Sequence, residues 1–199
     1  MSTPRGPGRE RRAVTVSFSF ELRAKPIVGA PGVLAGHAAV FDVISDLRGQ
    51  GQFLEKVARG AFKDSIRKDD IRALFNHSPN HVLARKGAGT LTLAEDSKGL
   101  AVEIDLPSTQ LGRDLAEWIR RGDINEMSFG FDCLDDDWSH DSEGNRVRTL
   151  RKVKLYDASP VTFPAYPQTD LAFRWATAGA RRMINLELMR RQLELLAVG

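Results

Sequence analysis

The chain has 199 residues, of which 42% are hydrophobic and 28% charged, an ordinary composition for a globular protein with a packed core. Its net charge of +3 is a mild basic excess, much weaker than that of a dedicated nucleic-acid-binding protein. A single cysteine, Cys133, excludes an internal disulfide framework and favours a reducing compartment. No apolar run approaches the roughly 18 residues of a membrane span, and no apolar stretch of a secretory signal follows the basic start.

Composition along the chain predicts one domain between two tails. Residues 1–12 are rich in proline, glycine and arginine and are predicted to form a disordered basic tail. The domain extends over 13–175. A helical C-terminal tail is predicted over 176–199, because apolar residues recur there at helical spacing.

The first half of the domain begins with alternating apolar and polar residues over 14–22, which predict a strand with one buried face. A second strand is predicted at 32–43, directly after a Pro-Gly pair. Apolar residues one helical turn apart predict a short helix over 57–70. An apolar strand is predicted next over 71–78, with His77 at its end.

The middle of the domain contains two strands, predicted at 89–96 and 99–107, joined by the turn sequence EDSKG. The clearest helix follows them. Ser108 or Thr109 is placed to cap its start, and Gly122 is placed to end it.

The last part of the domain is predicted as a strand over 124–134, a polar loop over 135–145 and a strand through Val153 and Leu155. Three prolines make the segment 160–169 extended and irregular. Strands outnumber helices, and hairpins outnumber βαβ units. These features predict an α+β fold, mainly an antiparallel β-barrel or sheet with a few surrounding helices.

Of the four histidines, two have ordinary explanations, since His37 lies inside a predicted strand and His140 in a polar loop. His77 instead follows an apolar strand, where a side chain is held firmly yet reaches a cleft. Imidazole titrates near neutral pH, so His77 is a candidate general base, although most histidines have no catalytic role.

His77 and His81 have the spacing of the two-histidine motif of zinc proteases, which makes a metal site an alternative interpretation of this pair. That motif needs a glutamate after the first histidine, where this chain has Ser78. Pro79 also disfavours a helix through the pair, and no cysteine cluster completes a ligand set. The sequence therefore predicts no metal site and no cofactor.

The stretch INEMSFGFD places a serine among apolar residues. In a strand, Met127, Phe129 and Phe131 share the face that fills the core, while Ser128 and Gly130 share the other. The glycine leaves that second face bare, where a substrate backbone can approach. From these residues alone two interpretations stay open: a small residue packed into a strand, or a nucleophile acting from within one.

A serine nucleophile needs a base, and the base needs an orienting partner. Asp157 lies between an apolar strand and a proline-rich segment, where its carboxylate can hold His77. A turn-forming or strand-capping aspartate is the ordinary alternative. The order His77, Ser128, Asp157 along the chain excludes nothing, because this constellation recurs on unrelated folds in different orders.

A set of motifs occurs in order along the chain. It comprises GHAAVFDV and VARGAF, then FNHSPNH after an apolar strand, a strand–hairpin–helix block, NEMSFGFD, and finally LYDASPVTFPAYP. Together these motifs resemble the prohead (capsid maturation) proteases of tailed bacteriophages of the HK97 type. The resemblance covers about residues 14–173, and it is the combination of motifs that is specific.

The resemblance implies a serine endopeptidase related in fold to the herpesvirus assemblins. His77 matches the family's catalytic histidine, Ser128 its nucleophile, and Asp157 its third, usually acidic, position. The herpesvirus relatives use a second histidine as the third member, which makes His81 the alternative orienter. The glycines of RKGAG and the segment VTFPA are candidates for the oxyanion hole.

The implied function is capsid maturation inside the assembling procapsid, in the host cytoplasm. The expected partners are the scaffold protein or the scaffolding region of the major capsid protein, together with the protease's own termini. No binding of a membrane, a specific nucleic acid or a cofactor is expected, and oligomerisation remains possible. One rival is a catalytically silent capsid-assembly module on the same fold. A second is nucleic-acid binding by the basic segment RVRTLRKVKL, for which a charged strand edge is the ordinary alternative.

Overall fold

The computed structural model describes residues 10–12, 22–23, 31–46 and 53–162. The strand predicted over 14–22 lies almost wholly outside these residues. The helical C-terminal tail and most of the irregular segment predicted over 160–169 lie outside them as well.

The elements of the described residues are, in chain order, the strands β1 (Glu10–Arg12), β2 (Leu22–Arg23), β3 (Val33–Val40), β4 (Ser45–Asp46), β5 (Leu54–Val57), β6 (Arg72–Leu74), β7 (Val82–Arg85), β8 (Leu91–Glu95), β9 (Gly99–Asp105), β10 (Glu126–His140) and β11 (Arg146–Val161). The helices are α1 (Lys63–Lys68) and α2 (Gln110–Arg121), with a 3-10 turn at Lys86–Ala88. Strand β1 occupies the last three residues of the segment predicted as a disordered tail.

Two sheets contain these strands. The first has the order β1-β10-β11-β5-β4, and β6 joins it by pairing with both β11 and β7. The second has the order β2-β3-β9-β8. Most of the described pairs are antiparallel, and the parallel exceptions are β11 with β5 and with β6. The prediction of an α+β fold with mainly antiparallel sheets is confirmed, and within the described residues neither sheet closes into a barrel.

The hairpin of β10 and β11 is longer than predicted, and the polar loop expected over 135–145 is wrong as far as His140. Acidic residues of β10 extend the strand because they pair with basic residues of β11. Arg148 Nε lies 2.5 Å from Asp136 Oδ2, and Arg151 lies at the same distance from the carboxylate of Asp137. These ion pairs also engage basic side chains that the nucleic-acid interpretation needs.

Helix α2 has the predicted bounds. The hydroxyl of Thr109 accepts a hydrogen bond from Gly112 N at 3.3 Å, and Gly122 ends the helix with a φ of 81°. Leu115 and Ile119 of this helix are buried. The predicted helix over 57–70 is shorter, because Val57 ends strand β5, turns follow over 59–62, and only Lys63–Lys68 are helical.

The hydrophobic core contains Leu100 and Ile104 of β9 from one sheet and the fully buried Phe129 and Phe131 of β10 from the other, together with the buried ring of Phe62 just before α1. The Phe62 and Phe129 rings meet edge to face at 5.3 Å, and Phe129 stacks with Phe131 at 5.1 Å. Burying a phenylalanine stabilises a fold by about 1.5–3 kcal/mol. The three rings therefore anchor the start of β10 firmly from one side.

Candidate active site

Strand β10 presents Ser128 on the face opposite the core phenylalanines, as the alternation predicted. In the register of β10 and β11, Ser128 lies opposite Ser159, and Gly130 lies opposite Asp157. A register shift follows at once, since Phe131 pairs with Leu155 and leaves Tyr156 as the extra residue of β11. Such bulges re-aim neighbouring side chains and are common beside active sites.

Gly130 makes room for Asp157 rather than leaving the bare face expected for a substrate. A Cβ atom built on Gly130 would overlap Oδ2 of Asp157. The expectation that a substrate backbone fills this space is therefore wrong, because the carboxylate across the hairpin already occupies it.

His77 lies in a tight turn, and the prediction of a strand that continues to this residue is wrong. Strand β6 ends at Leu74, and the N–H of Ser78 donates to the carbonyl of Phe75 at 3.1 Å. The two central residues, Asn76 and His77, have φ values of 54° and 55°. Turns of this kind need a positive φ at both central positions, a conformation in which asparagine and histidine are enriched.

The side chain of Asn76 fixes this turn to the end of β11. Its Oδ1 accepts from the N–H of Thr162 at 2.8 Å, and its Nδ2 donates to the Thr162 hydroxyl at 3.1 Å. The N–H of Asn76 donates to the carbonyl of Pro160 at 3.0 Å. The turn that carries His77 and the strand that carries Asp157 are thus held together by three hydrogen bonds.

The structure brings the three predicted residues into one hydrogen-bonded chain. His77 Nε2 lies 2.5 Å from Ser128 Oγ, and His77 Nδ1 lies 2.6 Å from Asp157 Oδ1. A carboxylate only accepts, so Nδ1 carries the proton and the lone pair of Nε2 faces the serine hydroxyl. Asp157 is 6% exposed and the His77 side chain 14%, so the chain is largely shielded from water.

A family described as caudovirus prohead serine protease matches residues 18–183 of this sequence. The chain belongs to this family. The bacteriophage T4 capsid assembly protease gp21 resembles its structure with a TM-score of 0.51 and 10% sequence identity, over 79% of this chain and 99% of that one. At that identity the likeness concerns the fold alone. No protein of curated function matches significantly.

Ser159 is a residue of this prohead protease that the sequence interpretation missed. Its hydroxyl donates to Asp157 Oδ1 at 2.5 Å and accepts from the N–H of Leu74 at 3.2 Å. Ser159 is fully buried. The available signal was its position two residues after Asp157, which puts both side chains on the same face of a strand.

His81, the alternative orienter, makes no hydrogen bond to His77. Its N–H donates to Ser78 O at 3.0 Å, its carbonyl accepts from Phe75 N at 2.9 Å, and its ring packs at 6.3 Å from that of Phe75. In the described chain, the partner of His77 Nδ1 is therefore Asp157.

The glycines proposed for the oxyanion hole have their N–H groups engaged elsewhere. Gly87 donates to Asp70 Oδ1 at 2.9 Å, and Gly89 donates to Lys86 O at 2.9 Å. Within VTFPA, the N–H of Thr162 donates to Asn76, and the residues after it lie outside the described ones. The N–H groups of Gly87, Gly89 and Thr162 are thus unavailable to an oxyanion as they stand.

A cavity of about 320 Å³ lies beside the histidine and the aspartate, and its lining comprises Asp70, Arg72, Leu74, His77, Pro79, Val82, Gly130, Tyr156 and Asp157. The hydrogen bond from Arg85 is the main cause that holds the pKa of Asp70 below its ordinary value.

Within the described ranges, no group of three or more histidine, cysteine or acidic residues is arranged to hold a metal ion. None of the helices described is long and apolar enough to cross a membrane.

The hydroxyl of Ser128 is closed off from solvent in this arrangement. Ser128 is 0% exposed. Immediately after it, β10 pairs with β11 on one edge and with β1 on the other, where Arg12 faces Phe129 and Arg11 faces Gly130. A peptide carbonyl therefore reaches the hydroxyl only after part of this arrangement opens.

Proposed function

We propose that this prohead protease is a serine endopeptidase in which Ser128 is the nucleophile, His77 the general base and Asp157 the orienting carboxylate. The single observation that supports this assignment best is the position of His77 between a hydroxyl and a carboxylate. Its two ring nitrogens bond Ser128 at 2.5 Å and Asp157 at 2.6 Å.

In the proposed reaction, Ser128 Oγ attacks the carbonyl carbon of the scissile peptide bond while His77 Nε2 takes the hydroxyl proton. The imidazolium then gives that proton to the leaving amine, and the C–N bond breaks to leave an acyl-serine. A water molecule, deprotonated by His77, hydrolyses the ester and restores the hydroxyl. Asp157 keeps the proton on Nδ1 and stabilises the imidazolium in both halves of the reaction.

The proposed substrates are the scaffold protein or the scaffolding region of the major capsid protein, and the protease's own termini, inside the assembling procapsid. Membership of the prohead protease family supports this choice. The name of the T4 protein, a capsid assembly protease, agrees with it.

The experiment is co-expression of the protease with the major capsid protein of its own phage, followed by intact-mass measurement of both. Ser128→Ala is expected to abolish cleavage, while Ser108→Ala, at an exposed serine before α2, is expected to leave it intact. Continued cleavage by Ser128→Ala contradicts the proposed mechanism.

The rival function is a silent capsid-assembly module, and the complete burial of Ser128 is the observation that favours it. Under that rival, the unmodified protease leaves the capsid protein uncleaved even within assembled procapsids. The same co-expression therefore separates the two functions.

A further inference from the structure

Ser159 connects the strand that precedes the base to the carboxylate that orients the base. Its oxygen accepts the N–H of Leu74 at 3.2 Å, and its proton is donated to Asp157 Oδ1 at 2.5 Å. Leu74 is the last residue of β6, and the turn that carries His77 begins at the next residue. The hydrogen bonds therefore close a ring from β6 through Ser159 and Asp157 to His77.

The rotation of the Ser159 hydroxyl is restricted by these two partners. A serine oxygen has one proton to donate, and the N–H of Leu74 occupies one of its lone pairs. The proton is thereby directed at Asp157. With Ser159 and Asp157 at 0% and 6% exposure, water has little opportunity to replace either bond.

Oδ1 of Asp157 is the atom on which two donors converge, because it also accepts from His77 Nδ1 at 2.6 Å. Bonds to a buried carboxylate are charge-assisted and stronger than neutral ones. The Ser159 hydroxyl, as the second donor, fixes the position of Oδ1 and partly neutralises its negative charge. Of the other charged groups that line the neighbouring cavity, Asp70 and Arg72 pair with each other at 3.3 Å.

We propose that Ser159 is a positioning residue of the active site, which fixes the Asp157 carboxylate and moderates its hold on His77. This proposal rests on the proposed function of Asp157 and His77. The ordinary alternative is a serine that only satisfies a buried strand N–H and stabilises the fold.

The chain offers a matched control for that alternative. Ser65 is also buried, its hydroxyl donates to Asp69 Oδ2 at 2.6 Å, and it accepts from the N–H of Leu155 in β11 at 2.7 Å. Ser65→Ala therefore removes one bond to an aspartate and one to a strand N–H, as Ser159→Ala does, but neither partner is His77, Ser128 or Asp157.

The experiment compares kcat, the pH profile of kcat/KM and thermal unfolding of wild type, Ser159→Ala and Ser65→Ala on one peptide substrate. Both variants are expected to lose similar stability. Only Ser159→Ala is expected to lower kcat, by roughly tenfold or more, since a bond to a charged group is removed. The acid limb of the kcat/KM profile of Ser159→Ala should move to higher pH, by roughly half a unit. With one donor fewer, the Asp157 carboxylate stabilises the His77 imidazolium more strongly.

A spectroscopic measurement keeps the test independent of turnover. The proton on His77 Nδ1 gives a low-field NMR signal, which is expected to shift in Ser159→Ala and to stay in place in Ser65→Ala. Ser159→Cys keeps the volume and a weaker donor and should fall between wild type and Ser159→Ala in kcat and in this signal.

An unchanged acid limb and an unmoved low-field signal in Ser159→Ala overturn the proposal, and so does an equal loss of kcat in Ser65→Ala. These results are distinct from a failure of the proposed function. In that case either Ser128→Ala itself still cleaves or, under the silent-module rival, the wild type does not cleave, whatever Ser159 does.

Discussion

Gly130 and Asp157 face each other across β10 and β11, and the carboxylate occupies the volume that a side chain at Gly130 would need. The hydrogen bond between Asp157 and His77 depends on this contact, because a displaced carboxylate no longer meets Nδ1. A glycine that the sequence suggests as an opening for substrate thus helps to position His77, the proposed base.

Gly130→Ala tests that relationship. The added methyl group is expected to displace Asp157 and to lower kcat by roughly 100-fold, since an error of about 1 Å in a catalytic group costs that much. Steady-state kinetics on a peptide substrate provide the measurement.

Gly87→Ala is the matched control, because its Cβ would lie 2.8 Å from the carboxylate of another aspartate, Asp70. That variant should keep kcat within severalfold of wild type. A Gly130→Ala protein with wild-type kcat would show that the site tolerates a shifted carboxylate.

Asp157→Asn separates Asp157 from His81 as the orienting residue. An amide of the same size cannot hold the same histidine tautomer, and kcat is expected to fall by roughly 10³–10⁴-fold. His81→Ala should leave kcat almost unchanged, because the His81 ring packs on Phe75 and makes no bond to His77. The reverse order of these two effects, measured on the same substrate, contradicts the assignment.

The sequence could predict which residues meet in the candidate site better than it could predict their surroundings. Strand alternation predicts the face on which Ser128 lies, and the set of motifs selects Ser128, His77 and Asp157 as candidates. The positive φ values at Asn76 and His77 could not be predicted from the sequence, because the contact that fixes this turn is with Thr162, 86 residues away. A local sequence pattern cannot identify a partner that is so distant along the chain.

Strand register explains the other differences between sequence and structure. The role of Gly130 depends on which residue of β11 lies opposite it, and alternation within β10 alone cannot supply that residue. The acidic run at Asp136 and Asp137 likewise looks like a loop until Arg148 and Arg151 are seen beside it. Helix α2 could be predicted fully because its capping residue and its terminal glycine are local features.

Asn76 is expected to contribute in two ways that substitutions can separate. Asn76→Gly tolerates the positive φ but loses both side-chain bonds to Thr162, whereas Asn76→Ala also incurs the steric penalty of a left-handed residue. We expect the alanine variant to be less stable than the glycine variant by about 1 kcal/mol in urea unfolding. Both should lower kcat, since the turn that holds His77 loosens. Equal stability of the two variants would mean that the turn changes its conformation.

Asp70 is expected to make the free energy of unfolding depend on pH in the acid range. Its carboxylate accepts from Arg85 Nε at 2.8 Å and from the N–H of Gly87 at 2.9 Å, and these bonds, that of Arg85 foremost, lower its pKa. A lowered folded pKa contributes stability above the unfolded pKa, which is lost as the pH falls through the folded one. Asp70→Asn should therefore lower the urea midpoint at pH 7, and its difference from wild type should shrink below about pH 4.

Arg85→Gln removes the same contact from the other side. Combined with Asp70→Asn, it should lower the urea midpoint by less than the sum of the separate effects, because the two residues share one interaction. A difference between Asp70→Asn and wild type that stays constant through the acid range contradicts this account of Asp70.

Strand β1 pairs with β10 directly after Ser128, so we expect that loosening β1 exposes this proposed nucleophile. Successive N–H groups of a strand point to opposite sides, so of Arg11→Pro and Arg12→Pro at least one removes an N–H that faces β10. That variant should react several times faster than wild type with a fluorophosphonate reagent, with the adduct on Ser128 measured by mass spectrometry. Arg11→Ala and Arg12→Ala keep the backbone N–H and should react at the wild-type rate. If neither proline variant reacts faster, another part of the chain closes the site, because a fully buried hydroxyl still has to become accessible before it can attack a peptide.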